Sequence, residues 1–104
     1  MIEVRQTDEF SSWINSFKDI KTKGRLLIRI DRLQLGLINN AEPVGEGVSE
    51  LKIDFGPGYR MYFSVRGREL ILLLIGGDKS TQKKDIRTAK QMLKDLDGGK
   101  YAKK

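Results

Sequence analysis

Residues 50–66 read Glu50-Leu51-Lys52-Ile53-Asp54-Phe55-Gly56-Pro57-Gly58-Tyr59-Arg60-Met61-Tyr62-Phe63-Ser64-Val65-Arg66. Apolar and polar side chains alternate on both sides of Gly56-Pro57-Gly58, the period-two pattern of strands that lay one face on a core. Leu51, Ile53 and Phe55 point one way, and Glu50, Lys52 and Asp54 the other. Beyond the turn, Tyr59, Met61, Phe63 and Val65 face inward, with Arg60, Tyr62, Ser64 and Arg66 outward. A glycine-rich break between two such runs makes a tight hairpin. Pairing Phe55 with Tyr59 sets Asp54 opposite Arg60 and Lys52 opposite Tyr62 on the polar side.

Downstream, Arg66-Gly67-Arg68 turns the chain into residues 69–75, apolar at every position from Leu70 onward. That is the pattern of a strand covered on both faces, and therefore central. Gly76-Gly77 suits either turn chemistry or close backbone approach to a phosphate, and Asp78 reads as a cap. From Ser80 or Thr81 a helix is predicted to about Leu96. Its buried stripe is Ile86, Ala89, Leu93 and Leu96, and its second stripe is Lys83, Arg87, Lys90 and Lys94.

Upstream, residues 2–5 read as a short strand. Thr7 or Asp8 caps a helix with Phe10, Trp13, Ile14 and Phe17 at helical spacing. A second helix is predicted over residues 22–35, with Leu26, Ile30, Leu33 and Leu37 on one stripe and Arg25, Arg29 and Arg32 on another. Gly36 and Asn39-Asn40 stop it, and the two helices form a hairpin. Residues 41–47 read as a loop. The expected fold is α+β in the order β-α-α-β-β-β-α, with a mostly antiparallel sheet and a basic C-terminal helix. Residues 1–97 make a single domain and residues 98–104 a flexible basic tail.

The chain has 104 residues, with no cysteine and no histidine. Disulfides, thiolate metal sites and the commonest general base are therefore outside its chemistry, and no metal or cofactor is expected. No leader opens the chain and no apolar run could span a bilayer, so a cytoplasmic protein without a membrane partner is expected. The net charge of +6 is unevenly placed: residues 1–78 carry eleven basic and eleven acidic side chains, residues 79–104 nine and three. Such a surface suits a polyanion or an acidic protein segment, and also a solubilising tail.

Two segments, Gly56 to Phe63 and Gly76 to Gln82, join glycines to cations at strand ends. Arg60 can take two phosphate oxygens at once, with Lys52 and Lys79 as nearby point charges. It can equally be the cross-strand partner of Asp54, with Lys52 simply solvated. Tyr62, on the polar face, can hydrogen-bond a ribose or stack on a base, or be a half-buried strand tyrosine. The Lys83, Arg87, Lys90, Lys94 stripe can follow RNA, receive an acidic partner, or be a solvated helix face.

Val44-Gly45-Glu46-Gly47-Val48-Ser49-Glu50-Leu51-Lys52-Ile53, followed by Gly56-Pro57-Gly58-Tyr59-Arg60-Met61-Tyr62-Phe63 and Gly76-Gly77-Asp78-Lys79-Ser80-Thr81-Gln82, resembles phage-derived addiction-module killer proteins. These are HigB-like members of the RelE/ParE toxin superfamily. The resemblance implies a RelE-like fold and a type II toxin that inhibits translation by ribosome-dependent cleavage of mRNA. It also implies a cognate antitoxin, usually a small helix-turn-helix protein, with operator DNA bound only through the toxin–antitoxin complex. ParE-like members instead act on DNA gyrase, and a non-toxic RNA-binding relative is a third reading.

Best-known RelE-like toxins carry an arginine at the matching Gly-Tyr-Arg, which turns the balance for Arg60 toward phosphate. Cleavage by a 2′-hydroxyl also needs cations at the phosphorane, the role given to Arg60, Lys79 and Lys52. Some RelE-like toxins use a tyrosine near the C-terminus, which makes Tyr101 an RNA-binding candidate, while Tyr62 joins Arg60, Lys79 and Lys52 as a catalytic candidate. A phenol is a poor base at neutral pH unless cations lower its pKa.

Overall fold

A computed structural model describes residues 2–38 and 40–97. Strand β1 (Glu3–Gln6) leads into helices α1 (Asp8–Asn15) and α2 (Ile20–Gln34). Strands β2 (Ala41–Gly45), β3 (Val48–Ile53), β4 (Tyr59–Arg66) and β5 (Leu70–Asp78) follow, then a 3₁₀ turn (Lys79–Thr81) and helix α3 (Gln82–Asp97). The five strands form one sheet in the order β1-β5-β4-β3-β2, with β1 parallel to β5 and every other pair antiparallel. The fold is α+β as expected, with one strand more than the sequence pattern predicted.

That extra strand is β2, in the stretch 41–47 where Pro43, Gly45 and Gly47 give the sequence the pattern of a loop. It lies at the sheet edge, where a proline without an N–H does not break the pairing. Gly45, Glu46 and Gly47 all take positive φ, so the chain reverses tightly into β3.

The helix signals correspond to the chain's behaviour. Thr7 caps α1, its hydroxyl oxygen accepting from the Phe10 amide at 3.0 Å and donating to the Leu74 carbonyl at 2.6 Å. Asp19 caps α2, which starts at Ile20, two residues before the predicted start, and accepts from the Lys21 amide and the Thr22 hydroxyl. Gly36, at φ 78°, ends α2, with its amide bonded to the Leu33 carbonyl and the Leu37 amide to the Arg32 carbonyl. Leu37, predicted on the buried stripe, therefore falls past the helix and is 51% exposed.

Both faces of the sheet are covered. Phe10, Ile14, Leu26, Ile30 and Leu33 of α1 and α2 pack on Leu51, Ile53, Met61, Phe63, Ile71 and Leu73. On the opposite face Ala89, Met92 and Leu93 of α3 pack on Val48, Tyr62 and Leu74. The side of the β3–β4 hairpin read as polar and outward is thus a second buried layer.

The hairpin register also differs from the predicted one. Ile53 pairs with Tyr59, Lys52 with Arg60, and Glu50 with Tyr62. Amides of Phe55 and Gly58 bond to the carbonyls of Ile53 and Phe55, so residues 54–58 all belong to the turn. A shift of two residues keeps every side chain on its predicted face but exchanges its neighbours. Asp54 is consequently not the partner of Arg60.

In β5 the pairing with β4 slips between Tyr62 opposite Ile75 and Phe63 opposite Leu73, leaving Leu74 as a bulge residue. A bulge breaks the two-residue alternation. Leu74 and Ile75 both pack toward α3, and everything beyond them changes face relative to an unbroken strand.

Candidate functional site

The C-terminal ends of β3 and β5, the start of β4 and the start of α3 meet at one corner of the sheet. Arg60 pairs with Lys52 on one side and Gly77 on the other. Tyr62 lies between Glu50 and Ile75. Those pairings bring Glu50, Arg60 and Tyr62 together beneath Gln82 and Asp85 of α3.

The result is a buried polar layer. Tyr62 is 0% exposed, Glu50 3%, Asp85 6% and Arg60 9%. Glu50 Oε2 accepts from Tyr62 Oη at 3.0 Å and from Gln82 Nε2 at 2.9 Å. Arg60 Nη1 lies 3.9 Å from the same oxygen, close enough for charge attraction and too far for a hydrogen bond. Arg60 Nε and Nη1 are buried and have no hydrogen-bond partner among the described residues. A buried charged donor without an acceptor is costly, and the nearby Glu50 carboxylate offsets that cost through charge attraction rather than a hydrogen bond.

Tyr62 does not face solvent, contrary to the polar face on which the sequence placed it. Burial pushes its phenol well above the ordinary tyrosine range, and its bond to Glu50 and the charges of Glu50 and Asp85 push the same way. Arg60 acts in the opposite direction and does not overcome them. The phenol is a fixed hydrogen-bond donor to Glu50 at neutral pH.

Gly76 and Gly77 are neither a turn nor an exposed loop. Both are strand residues, and each lets a side chain from a different layer rest against the backbone. A Cβ at residue 76 would overlap the indole of Trp13, and one at residue 77 would overlap Asp85 Oδ2. Thr81 Oγ1 donates to that Asp85 oxygen at 2.6 Å, tying the start of α3 down. Asp78 caps the 3₁₀ turn, as its position suggested. Hydrogen bonds from the Ser80 hydroxyl and amide hold its carboxyl below the ordinary aspartate range.

Above this layer the surface is cationic. Lys79, Ser80, Thr81, Gln82, Lys83, Lys84 and Arg87 line an open depression of ≈ 530 Å³. Lys79 sits beside the hairpin turn: a Cβ at Gly58 would lie 3.7 Å from Lys79 Cβ. Lys52 is exposed on the neighbouring strand and pairs with Glu42 at 3.5 Å.

The predicted stripe on α3 is divided by what it meets. Lys83 and Arg87 border the depression, whereas Lys90 and Lys94 reach Glu46 in the β2–β3 turn at 3.6 and 3.9 Å. Tyr101 and the expected tail lie outside the described residues. The sequence reading missed Glu50, Gln82 and Asp85 as members of the site. A charged residue amid the apolar alternation of β3, and an acidic one on the buried side of α3, were the available signals. Among the described residues no cluster of acidic side chains could hold a metal, and no helix is long and apolar enough to cross a membrane.

Residues 12–94 match the family model described as phage-derived protein Gp49-like (DUF891). The chain belongs to that family. The family is associated with toxin–antitoxin killer proteins. A relative from Haemophilus influenzae, described only as an uncharacterized protein, is 42% identical over 95 residues, covering 91% of this chain and 96% of its own length.

Proposed function

We propose that this Gp49-like protein is the toxin of a type II toxin–antitoxin module and inhibits translation by ribosome-dependent cleavage of mRNA. The observation that carries the reading is Arg60, a buried guanidinium with two N–H groups unpartnered among the described residues, at the same corner as the Lys79, Lys83, Lys84 and Arg87 surface. The HigB-like motif order and the Gp49-like family support it.

In this reading the cations hold the phosphate backbone and Arg60 stabilises charge on the phosphorane. The 2′-oxygen bonds to phosphorus as the bond to the 5′-oxygen breaks, leaving a cyclic phosphate and a 5′-hydroxyl. Tyr62 and Glu50 act as positioning residues for Arg60. Among the described residues, Tyr62 is buried and the half-buried Tyr59 has its ring packed against Trp13 and Phe17, so neither is a freely exposed phenol placed to act as base. Catalysis then rests on placement and charge, with the ribosome supplying part of the geometry and solvent taking the 2′-hydroxyl proton and returning one to the departing 5′-oxygen.

That no freely exposed phenol is found among the described residues favours a second reading, a ParE-like toxin that binds gyrase. A reconstituted translation system with primer extension separates the two. Cuts within translated message, lost in Arg60→Ala, are expected. Intact message together with blocked supercoiling by gyrase would transfer the assignment to the second reading. A cognate antitoxin, a small helix-turn-helix protein, is expected to restore growth when co-expressed and to carry the pair onto operator DNA.

A further inference from the structure

An unassigned basic feature lies on the opposite side of the molecule from α3. Arg25, Arg29 and Arg32 follow one another at helical spacing along α2, so the three guanidinium groups span about 10 Å of one helix face. Together with Ile28, Asp54 and Phe55 they line an open groove of ≈ 480 Å³ between α2 and the hairpin turn. A second hollow of ≈ 190 Å³, lined by Arg29, Arg32, Leu37 and Asn40, continues it. Among the described residues Arg29 and Arg32 have no acidic partner, and Asp54 is the one carboxylate in the lining.

We infer that this groove is a docking site for an acidic protein segment that also presents aliphatic side chains. Charge complementarity gives the first half of the argument: three arginines face one aspartate, and a guanidinium fork grips a carboxylate with two bonds. The apolar surface gives the second. Ile28 and Leu37 are each 51% exposed beside the arginines, surface that stays uncovered unless a partner brings apolar groups of its own.

The same two features argue against RNA in this groove. Single-stranded nucleic acid uses aromatic faces for stacking, and aliphatic side chains offer none. The one aromatic ring present, Phe55, is capped by the Arg25 guanidinium 4.2 Å from its centroid. The two basic surfaces also differ in kind. The lining of this groove contains arginine and no lysine, and arginine is enriched at protein interfaces where lysine is depleted. The α3 surface is mainly lysine. This inference stands apart from the RNA reading and holds whichever target that reading meets.

The test uses the full chain, isotopically labelled, and a helical peptide carrying three glutamates and two leucines on one face. Saturable shifts are expected at amides of residues 25–37 and 53–55. Affinity should fall about tenfold for each of Arg29→Glu and Arg32→Glu, the weight of one charge-assisted contact. Replacing the peptide leucines by alanine should weaken binding by a similar factor, and an oligoadenylate should leave these amides unmoved. Shifts confined to residues 79–90, oligoadenylate binding in the groove, indifference to the arginine reversals, or no saturation by about 1 mM peptide would each overturn it.

Discussion

Tyr62 Oη donates to Glu50 Oε2 at 3.0 Å, joining the central strand to its neighbour where neither side chain meets water. Tyr62→Phe keeps the ring and removes the donor, leaving Glu50 with Gln82. A loss of about 1–3 kcal/mol in urea unfolding is expected, the range for stripping a partner from a buried acceptor. The pH dependence has a definite sign. The folded phenol titrates above its ordinary value near 10, so the folded state keeps a proton that the unfolded chain gives up. The stabilisation is whole below pH 10 and declines as pH rises beyond it. The gap between the wild type and Tyr62→Phe should therefore narrow between about pH 10 and 12. A gap that stays constant over that window would show that the phenol is not held by Glu50.

Gly77 lies against the Asp85 carboxylate, and Gly76 against the Trp13 indole, on opposite faces of one strand. Alanine at either position forces a shift in a packed layer, which costs about 1–3 kcal/mol. The two should differ in readout. Trp13 is the single tryptophan of the chain, so Gly76→Ala should move its fluorescence emission to the red while Gly77→Ala leaves it in place. In Gly77→Ala, adding Asp85→Ala should recover part of the loss, because the overlapping oxygen is gone. Additive losses in that double variant would exclude the proposed contact.

How much of this corner was legible depends on what each residue's pattern encodes. Alternation placed Leu51, Ile53, Met61 and Phe63 on one face and Glu50, Arg60 and Tyr62 on the other, and that much held. Alternation carries no information about what covers the second face, so Tyr62 and Arg60 read as surface residues until α3 was seen to lie over them. The neighbours of Arg60 depended on turn length: a five-residue turn replaces Asp54 by Lys52 opposite Arg60 and leaves Glu50, the partner of Tyr62, as the carboxylate within 3.9 Å, without altering a single side-chain direction. The bulge at Leu74 was invisible because its strand is apolar at every position. A run without alternation cannot reveal where alternation breaks, and that break decides that Gly77 faces Asp85.

Thr7 joins three segments through one oxygen, accepting from the Phe10 amide while donating to the Leu74 carbonyl. The second bond falls on the bulge residue of β5, whose carbonyl lies at the end of the β1 pairing. Thr7→Ala should cost about 1–2 kcal/mol, the upper part of the range for a cap. Thr7→Ser, with the same hydroxyl, should retain most of the stability in thermal unfolding. Equal losses for the two would assign the effect to the missing methyl group.

The α3 cations should divide functionally as they do in space. Lys83 and Arg87 border the open depression with Lys79, while Lys90 and Lys94 are engaged by Glu46. Removing Lys79, Lys83 and Arg87 together should weaken binding to a single-stranded RNA uniformly across sequences. It should also flatten the dependence of log affinity on log salt by about 2, near 0.7 for each lost phosphate contact. Lys90→Ala with Lys94→Ala should change that slope by much less, since those ammonium groups already have a carboxylate. A screened surface pair contributes little to stability, so neither set should shift the unfolding midpoint greatly. Equal slopes for the two sets would mean that RNA runs along the whole helix and that Glu46 yields its partners on binding.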